Sequence, residues 1–324
     1  MTSRSRMMVT MLCAAILILP AGATYAGDKP LTTAFSDKMH GGYVFSVGNS
    51  TYSGTIASGG RYAVAFTVDL PQDAVVRYQR YFIYWAWSRR DLEAVYPSIA
   101  VTCCTQQPGG TDAAARFVDS KGVSGPSDFF SGMDTFSGGN LFPGQNTVMF
   151  EVANTGEDNS TFVIQGAGLL TVYESPSAPE RMIAVSEGCD MLYSSYGITP
   201  EMATSRVDFD REIDLGRMKG ATLELVAPSG GYTRSDLIGK NAVYMNHEQN
   251  EELPTFFSVI LNLVFPEARG KVWEDVFMSD SQQQIGIETL DVTPYMAEKA
   301  NFVAVQDRGD YLLLTNAILQ VEYS

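Results

Sequence analysis

Basic residues are scarce in this sequence. It holds 22 Lys and Arg against 37 Asp and Glu, a formal net charge of −15, and no run of Lys or Arg occurs. Binding to nucleic acid needs a concentrated basic patch, so we expect no nucleic-acid partner. An acidic surface instead fits solubility outside a cell and contact with divalent cations.

Motifs for catalysis are scarce as well. The two histidines, His40 and His247, have no metal-ligand partner at helical spacing, and no Gly-x-Ser-x-Gly elbow occurs. We therefore expect no enzyme and no cofactor. Calcium is the one cofactor that the acidic residues could hold, with Asp208, Asp210 and Asp214 close together in the sequence. These three residues lack the calcium-loop pattern. Paired carboxylates for glycoside hydrolysis stay open, because their separation is a property of the folded chain.

A long apolar run, broken only by Thr10, lies at the start of the chain. Two arginines precede Met7 to Leu19, and the small residues that follow offer cleavage after Ala23 or Ala26. This layout is typical of a secretory signal peptide, so we assign residues 1–26 to one and expect a secreted protein at the extracellular cell surface. A later stretch, 253–265, is interrupted by proline and polar residues, so we expect no transmembrane segment in the mature chain.

Three cysteines remain after this cleavage: Cys103, Cys104 and Cys189. Outside the cell they should oxidise. The adjacent pair cannot bridge without a strained ring, so a bridge from one of them to Cys189 is the easier expectation. The odd count leaves one thiol for an intermolecular bridge or for burial as a thiol.

The chain repeats itself. Segment 146–151 (NTVMFE) reads like 301–306 (NFVAVQ), and each is followed by an alternating segment, 167–173 and 317–323. Apolar residues at every second position predict strands with one buried face. The turn between the segments is Gly-Glu-Asp-Asn in one copy and Asp-Arg-Gly-Asp in the other, and both sets favour turns. We therefore predict that a β-hairpin closes each of two successive halves.

A short, proline-containing linker, SPSAP at 175–179, lies between the halves. We place the boundary there, which gives domains 27–176 and 177–324. Tyr and Phe are plentiful, with 16 and 17 residues, which favours strands. The predicted fold is all-β, with two tandem antiparallel β-sandwich domains that are jelly-roll-like.

The segment 78–87 (YQRYFIYWAW) is apolar or aromatic on both alternating faces. This pattern predicts a strand that is covered on both sides. It is either a central strand of its own domain, or Tyr81, Ile83, Trp85 and Trp87 form a face that packs against a neighbouring subunit. In a third interpretation, Trp85 or Trp87 is a platform for a sugar ring.

Two asparagines lie in acceptor sequences for N-glycosylation. Asn49 and Asn159 are each followed by Ser-Thr. In a secreted protein such sequences are candidate modification sites when they lie in exposed turns.

Several motifs in a fixed order cover nearly the whole mature chain: GYVF at 42–45, GNSTYSG at 48–54, the aromatic strand 81–87, EGCD at 187–190, DVTPY at 291–295 and the two closing strands. With them the chain resembles a family of secreted surface proteins of methanogenic archaea. In size and two-part build it is similar to the major sheath proteins of filamentous methanogens. The resemblance implies subunits that assemble into a resistant, amyloid-like tube, and it implies no catalytic residues.

Together, these predictions favour an extracellular structural subunit that self-assembles into a cell-surface sheath or surface layer. Its partners would be copies of itself, as an oligomer or polymer, and other envelope proteins. Strand edges and aromatic faces would pair between subunits, and cysteines would lock neighbours together. The alternative is a carbohydrate-binding surface protein or adhesin; an extracellular glycan hydrolase is less favoured.

Overall fold

The computed structural model describes residues 29–104, 111–121, 130–195, 197–232, 238–247 and 270–324, so the predicted signal peptide and the stretch 253–265 lie outside it. Nearly all regular structure is strand in antiparallel sheets, which confirms the predicted all-β sandwich fold. The described ranges contain one turn of 3-10 helix, Thr293–Tyr295, and no helix in them is long and apolar enough to cross a membrane.

In chain order the strands are β1 Thr32–Ser46, β2 Thr55–Ala57, β3 Arg61–Leu70, β4 Val75–Arg90, β5 Glu93–Ala94, β6 Ile99–Cys104, β7 Thr111–Asp119, β8 Ser131–Gly138, β9 Gly144–Asn154, β10 Ser160–Glu174, β11 Glu180–Leu192, β12 Thr204–Phe209, β13 Met218–Pro228, β14 Asn241–Met245, β15 Lys271–Glu274, β16 Ile285–Asp291, β17 Asn301–Asp307 and β18 Leu312–Tyr323.

The described residues of the second half form an eight-stranded jelly roll. Its larger sheet runs in the order β11-β18-β13-β16, and its smaller sheet runs in the order β12-β17-β14-β15. If the strands of this half are numbered from one to eight, the larger sheet has the order 1-8-3-6 and the smaller sheet, which faces it, has the order 2-7-4-5. This is the strand order of a jelly roll, as expected from the sequence.

The first half repeats this topology. Its larger sheet contains β1-β10-β4-β8 and its smaller sheet β3-β9-β6. The first half differs from the second at β7, which pairs with β8 in the larger sheet, whereas the corresponding strand β15 lies in the smaller sheet. The sequence repeat is therefore a repeat of strand order, with β9 matching β17 and β10 matching β18.

The predicted closing hairpins are wrong. β9 and β10 lie in opposite sheets of one sandwich, and β17 and β18 lie in opposite sheets of the other. Their apolar faces meet across the core, where Phe150 of β9 joins Leu169 of β10, and Val305 of β17 joins Leu319 of β18. Alternation shows which face of a strand is buried, and it does not show which strand is the hydrogen-bonded neighbour.

Strand β1 joins the two halves. Residues 32–40 pair with β11 of the second half, and residues 41–46 pair with β10 of the first, so the two larger sheets form one eleven-stranded sheet. At the change of partner stands Gly41, where an added Cβ would lie 2.0 Å from the carbonyl oxygen of Tyr173. A glycine is needed there because the neighbouring backbone occupies the space of a side chain. Apart from this first part of β1, strand membership divides at the predicted boundary.

Three apolar clusters hold the molecule together. One fills the first sandwich and one fills the second. The third, which we call the central cluster, packs the larger sheets of the two halves against each other, with Phe82 and Leu170 on one side and Val185 and Ile318 on the other. Full burial of such side chains stabilises a fold by about 1.5–3 kcal/mol each. The two halves therefore share a core.

Candidate interaction surfaces

The aromatic strand β4 is a central strand of its own half. Tyr81, Ile83 and Trp85 are completely buried in the first sandwich, while Phe82 and Tyr84 on the opposite face are buried in the central cluster. The prediction that Tyr81, Ile83 and Trp85 contact a neighbouring subunit is therefore wrong, because the chain itself covers both faces. Burial also removes Trp85 as a platform for a sugar.

Trp87 is exposed, although it continues the alternation of Trp85. In β10, Val163 pairs with Ala86 but Thr161 pairs with Arg89, so β4 carries one extra residue at this point. Trp87 has a φ of 51°. Such a β-bulge turns a side chain away from its regular direction, and 49% of Trp87 is accessible to solvent.

Two further exposed apolar residues follow Trp87 in the β4–β5 hairpin. Leu92 lies at its tip, and Tyr96, just after it, is 61% exposed and lies beside the ring of Phe130 at 5.3 Å between centroids. We call Trp87, Leu92 and Tyr96 the hairpin surface. It borders a cleft of about 170 Å³ whose rim includes Arg90. An apolar surface beside a polar cleft can contact a sugar ring or another protein.

Strand β6 is an edge strand of unusual composition. It has six residues, IAVTCC, and within the described chain it pairs with β9 on one side alone. Of the other strands at the two ends of each sheet, β3, β7, β12, β15 and β16 each carry at least one charged residue, whereas β6 carries none. The other uncharged strand with one partner is β2, which has only three residues. Charged residues on edge strands discourage pairing with other chains. β6 lacks this protection.

The cysteines do not form the expected bridge to Cys189. Cys103 is buried in the first sandwich, 3.3 Å from the hydroxyl of Tyr81, and Cys189 is buried in the central cluster. No disulfide links the cysteines whose side chains are described, and the side chain of Cys104 is outside the described part. Burial raises the pKa of the Cys189 thiol well above its ordinary value, so this thiol is protonated and unreactive.

The other predicted sites lie apart from one another. Asn49 and Asn159 are both exposed, and Asn159 occupies the turn between β9 and β10. The ring of His40 contacts the carbonyl oxygen of Ala178 at 3.0 Å. In the ranges that the structure covers, no three His, Cys, Asp or Glu side chains are grouped to hold a metal ion.

The profile of a protein family described as a protein of unknown function, DUF3344, matches residues 24–322. The chain belongs to the DUF3344 family. No curated protein matches the sequence. The match spans both sandwiches of the chain.

Polar groups inside this DUF3344 fold connect its halves. The hydroxyl of Tyr78 donates to Glu187 at 2.5 Å, that of Tyr43 donates to Glu224 at 2.8 Å, and that of Tyr84 donates to Asn316 at 2.8 Å. Burial raises the pKa of the Glu187 carboxyl and that of the Glu224 carboxyl. Sequence reasoning missed these pairs, because their members are far apart along the chain.

A second polar group between the halves is an ion cluster. Lys121 lies just beyond β7, between Asp119 of the first half and Asp190 of β11 in the second. Of these three residues, Asp190 belongs to the sequence motif EGCD at 187–190. Buried ion pairs of this kind fix the relative placement of the elements that carry them.

Proposed function

We propose that this protein is an extracellular structural subunit that associates with copies of itself into a sheath or layer at the cell surface. Edge strand β6 is the observation that carries the proposal. Six residues of high strand propensity without charge or proline are typical of segments that pair between chains. The strand already has strand geometry, and among the described residues no second strand pairs with its outer edge, so a second copy can add to it without refolding.

The side chains of β6 support such pairing. Ile99, Val101 and Cys103 face the core to different degrees, while Ala100 and Thr102 are exposed on the outer face. Their partners on β9 are Ala153 and Glu151, while Met149, which is 47% exposed, lies opposite Cys104. The outer face of β6 itself is therefore small and uncharged, and the nearest charge on β9, that of Glu151, is already paired with Arg61 of β3. A neighbouring strand could add to this edge without burying an unpaired charge.

The net charge bears on how assembly would be controlled. A charge of −15 makes isolated subunits repel one another. Salt screens this repulsion over about 8 Å at physiological ionic strength. Association should therefore be weak in dilute buffer and stronger in salt or with divalent cations.

A charge on β6 should prevent assembly. Thr102→Lys places an ammonium group on the outer face of the edge strand, where it sits opposite Glu151 of β9 and leaves the fold intact. We expect the wild-type mature protein to form large species in sedimentation velocity at physiological salt, and the variant to remain monomeric. The matched control is Thr67→Lys, at an exposed position of β3 on the opposite edge of the same sheet, which should assemble like the wild type. Assembly of Thr102→Lys at the wild-type level would rule out β6 as the contact.

The hairpin surface supports a second candidate function, a carbohydrate-binding surface protein or adhesin. An exposed indole and phenol beside a polar cleft suit the apolar face of a sugar ring. On a glycan array, binding by the wild type that is lost in Trp87→Ala would support this function. Phe142→Ala, which removes an exposed ring elsewhere, is the control and should bind normally. No glycan bound by the wild type would exclude the adhesin and leave self-association.

A further inference from the structure

The ion cluster of Lys121, Asp119 and Asp190 is almost completely removed from water. The exposed fractions of their side chains are 1%, 3% and 0%. The Nζ atom of Lys121 lies 2.6 Å from Oδ2 of Asp119 and 3.7 Å from Oδ1 of Asp190. One ammonium thus faces two carboxyl groups, each from a different half of the molecule.

The ion cluster adjoins the apolar central cluster. Cys189, Met191 and Tyr311, all buried there, lie next to the charged groups. Asp119 is held in place, because its carboxyl accepts hydrogen bonds from the backbone N–H of Ser120 at 2.7 Å and from that of Met191 at 2.8 Å. Charges in such surroundings are costly unless they are paired or neutralised.

We propose that Lys121 and Asp190 condense to form an isopeptide bond, with Asp119 as the proton carrier. Asp119 takes one proton from the Lys121 ammonium and passes it to the carboxylate of Asp190. The resulting amine nitrogen attacks Cγ of Asp190, so a C–N bond forms and the C–O bond to the hydroxyl breaks. Asp119 moves a second proton from the nitrogen to the departing hydroxyl, which leaves as water. An ammonium and a carboxylate become an amide and one water, with no oxidant or cofactor.

The geometry favours this reaction in three ways. The nitrogen lies 3.7 Å from Oδ1 of Asp190, which is bonded to the Cγ under attack, so a short approach brings it to the separation of about 3–3.5 Å at which reacting atoms meet. The low-polarity surroundings favour the neutral amide over two buried charges. Exclusion of water also opposes the reverse reaction, which is hydrolysis.

The bond would join the end of β7 to β11, and therefore the first jelly roll to the second. The two halves meet there without a disulfide in the described residues. A covalent link across the central cluster would keep the halves together under mechanical load and under reducing conditions. This inference stands independently of whether β6 mediates assembly.

The intact mass of the purified wild-type protein tests the bond. We expect a mass lower by one water molecule than that of the chain, with its start defined by N-terminal sequencing. Trypsin should then yield peptide 117–181, uncut at Lys121, joined to peptide 182–206. The full mass, with 117–121 and 182–206 recovered as separate peptides, would overturn the proposal. A mass loss with the new bond confined to 117–181 would overturn the assignment to Asp190.

Variants separate the bond from ordinary ion pairing. Lys121→Arg keeps the charge but cannot form the amide, so it should have the full mass and release 182–206 as a separate peptide. Asp119→Asn removes the proton carrier and should also have the full mass, or form the bond over a much longer time. Lys38→Arg is the matched control, because Lys38 pairs with Glu180 at the surface, and it should retain the loss of water. A bond that forms at the wild-type rate in Asp119→Asn would contradict the role given to Asp119.

Discussion

Trp85→Ala is expected to destabilise the fold by about 3–5 kcal/mol, whereas Trp87→Ala, two positions along the same strand, should change the free energy of unfolding by less than about 1 kcal/mol. Trp85 is completely buried, and its indole N–H donates to Oδ1 of Asp134 at 3.1 Å. Its removal leaves a cavity and takes one partner from a buried carboxylate. Trp87 is half exposed, so its removal leaves no buried cavity and takes no partner from a buried carboxylate.

The packing around Trp85 leaves no room for compensation. A Cβ on the facing Gly132 would lie 2.3 Å from the indole ring, so the ring fills the space above that glycine. Asp134 is also bound by the guanidinium of Arg116, at 2.5 Å. Urea unfolding followed by circular dichroism measures both variants. Equal destabilisation by the two substitutions would mean that no bulge separates the environments of these tryptophans.

Asp310 should make the folded protein less stable as the pH rises from about 4 to about 6. Its Oδ2 accepts hydrogen bonds from the N–H of Gly231 at 2.7 Å and from the amide of Asn241 at 2.8 Å, yet burial raises its pKa from 3.8 to about 6. The nearby Lys240 lowers this pKa and Asp307 raises it, but neither outweighs burial.

The sign of the effect follows from proton binding. Between about pH 4 and pH 6 the Asp310 carboxyl is protonated in the folded state and ionised in the unfolded state. Stability is therefore highest below the pKa of Asp310 in the unfolded chain, and it is lost as the pH rises to the pKa of Asp310 in the folded protein. At about 1.4 kcal/mol for each unit of pKa, the loss of stability is about 3 kcal/mol and persists at higher pH. The raised pKa values of Glu187 and Glu224 act in the same direction.

Asp310→Asn isolates this contribution. An asparagine oxygen accepts the same two hydrogen bonds and carries no charge, so the variant should be more stable than the wild type at pH 7 and similar to it at pH 4. Glu187 and Glu224 titrate in both proteins, so the difference between the two unfolding profiles belongs to Asp310. A difference that does not change between pH 4 and pH 7 would contradict the raised pKa.

The sequence was sufficient for the fold class and for the repeat, because these depend on local alternation and turn composition. The alternating pattern predicted that apolar residues of β9 and β17 lie in the cores of the two sandwiches, and they do. It could not show that β10 and β18 lie in the facing sheets, since a turn between two strands reads alike in a hairpin and in a link across a sandwich. Strand partners are set by long-range packing.

The candidate sites were less accessible from sequence. The sequence of β4 predicts a strand that is covered on both faces, and both faces are buried. Nothing in the local sequence showed that the other half of the same chain covers the second face. The bulge at Trp87 carries no glycine or proline that would mark it. Lys121 and Asp190 meet because β7 and β11 come together at the central cluster, and no spacing in the sequence encodes that contact.

Electron microscopy of the purified mature protein, concentrated at physiological ionic strength under oxidising conditions, tests self-association most directly. We expect ordered tubes, sheets or fibres for the wild type and isolated particles for Thr102→Lys. Isolated particles of the wild type, in the presence and absence of calcium, would contradict self-association.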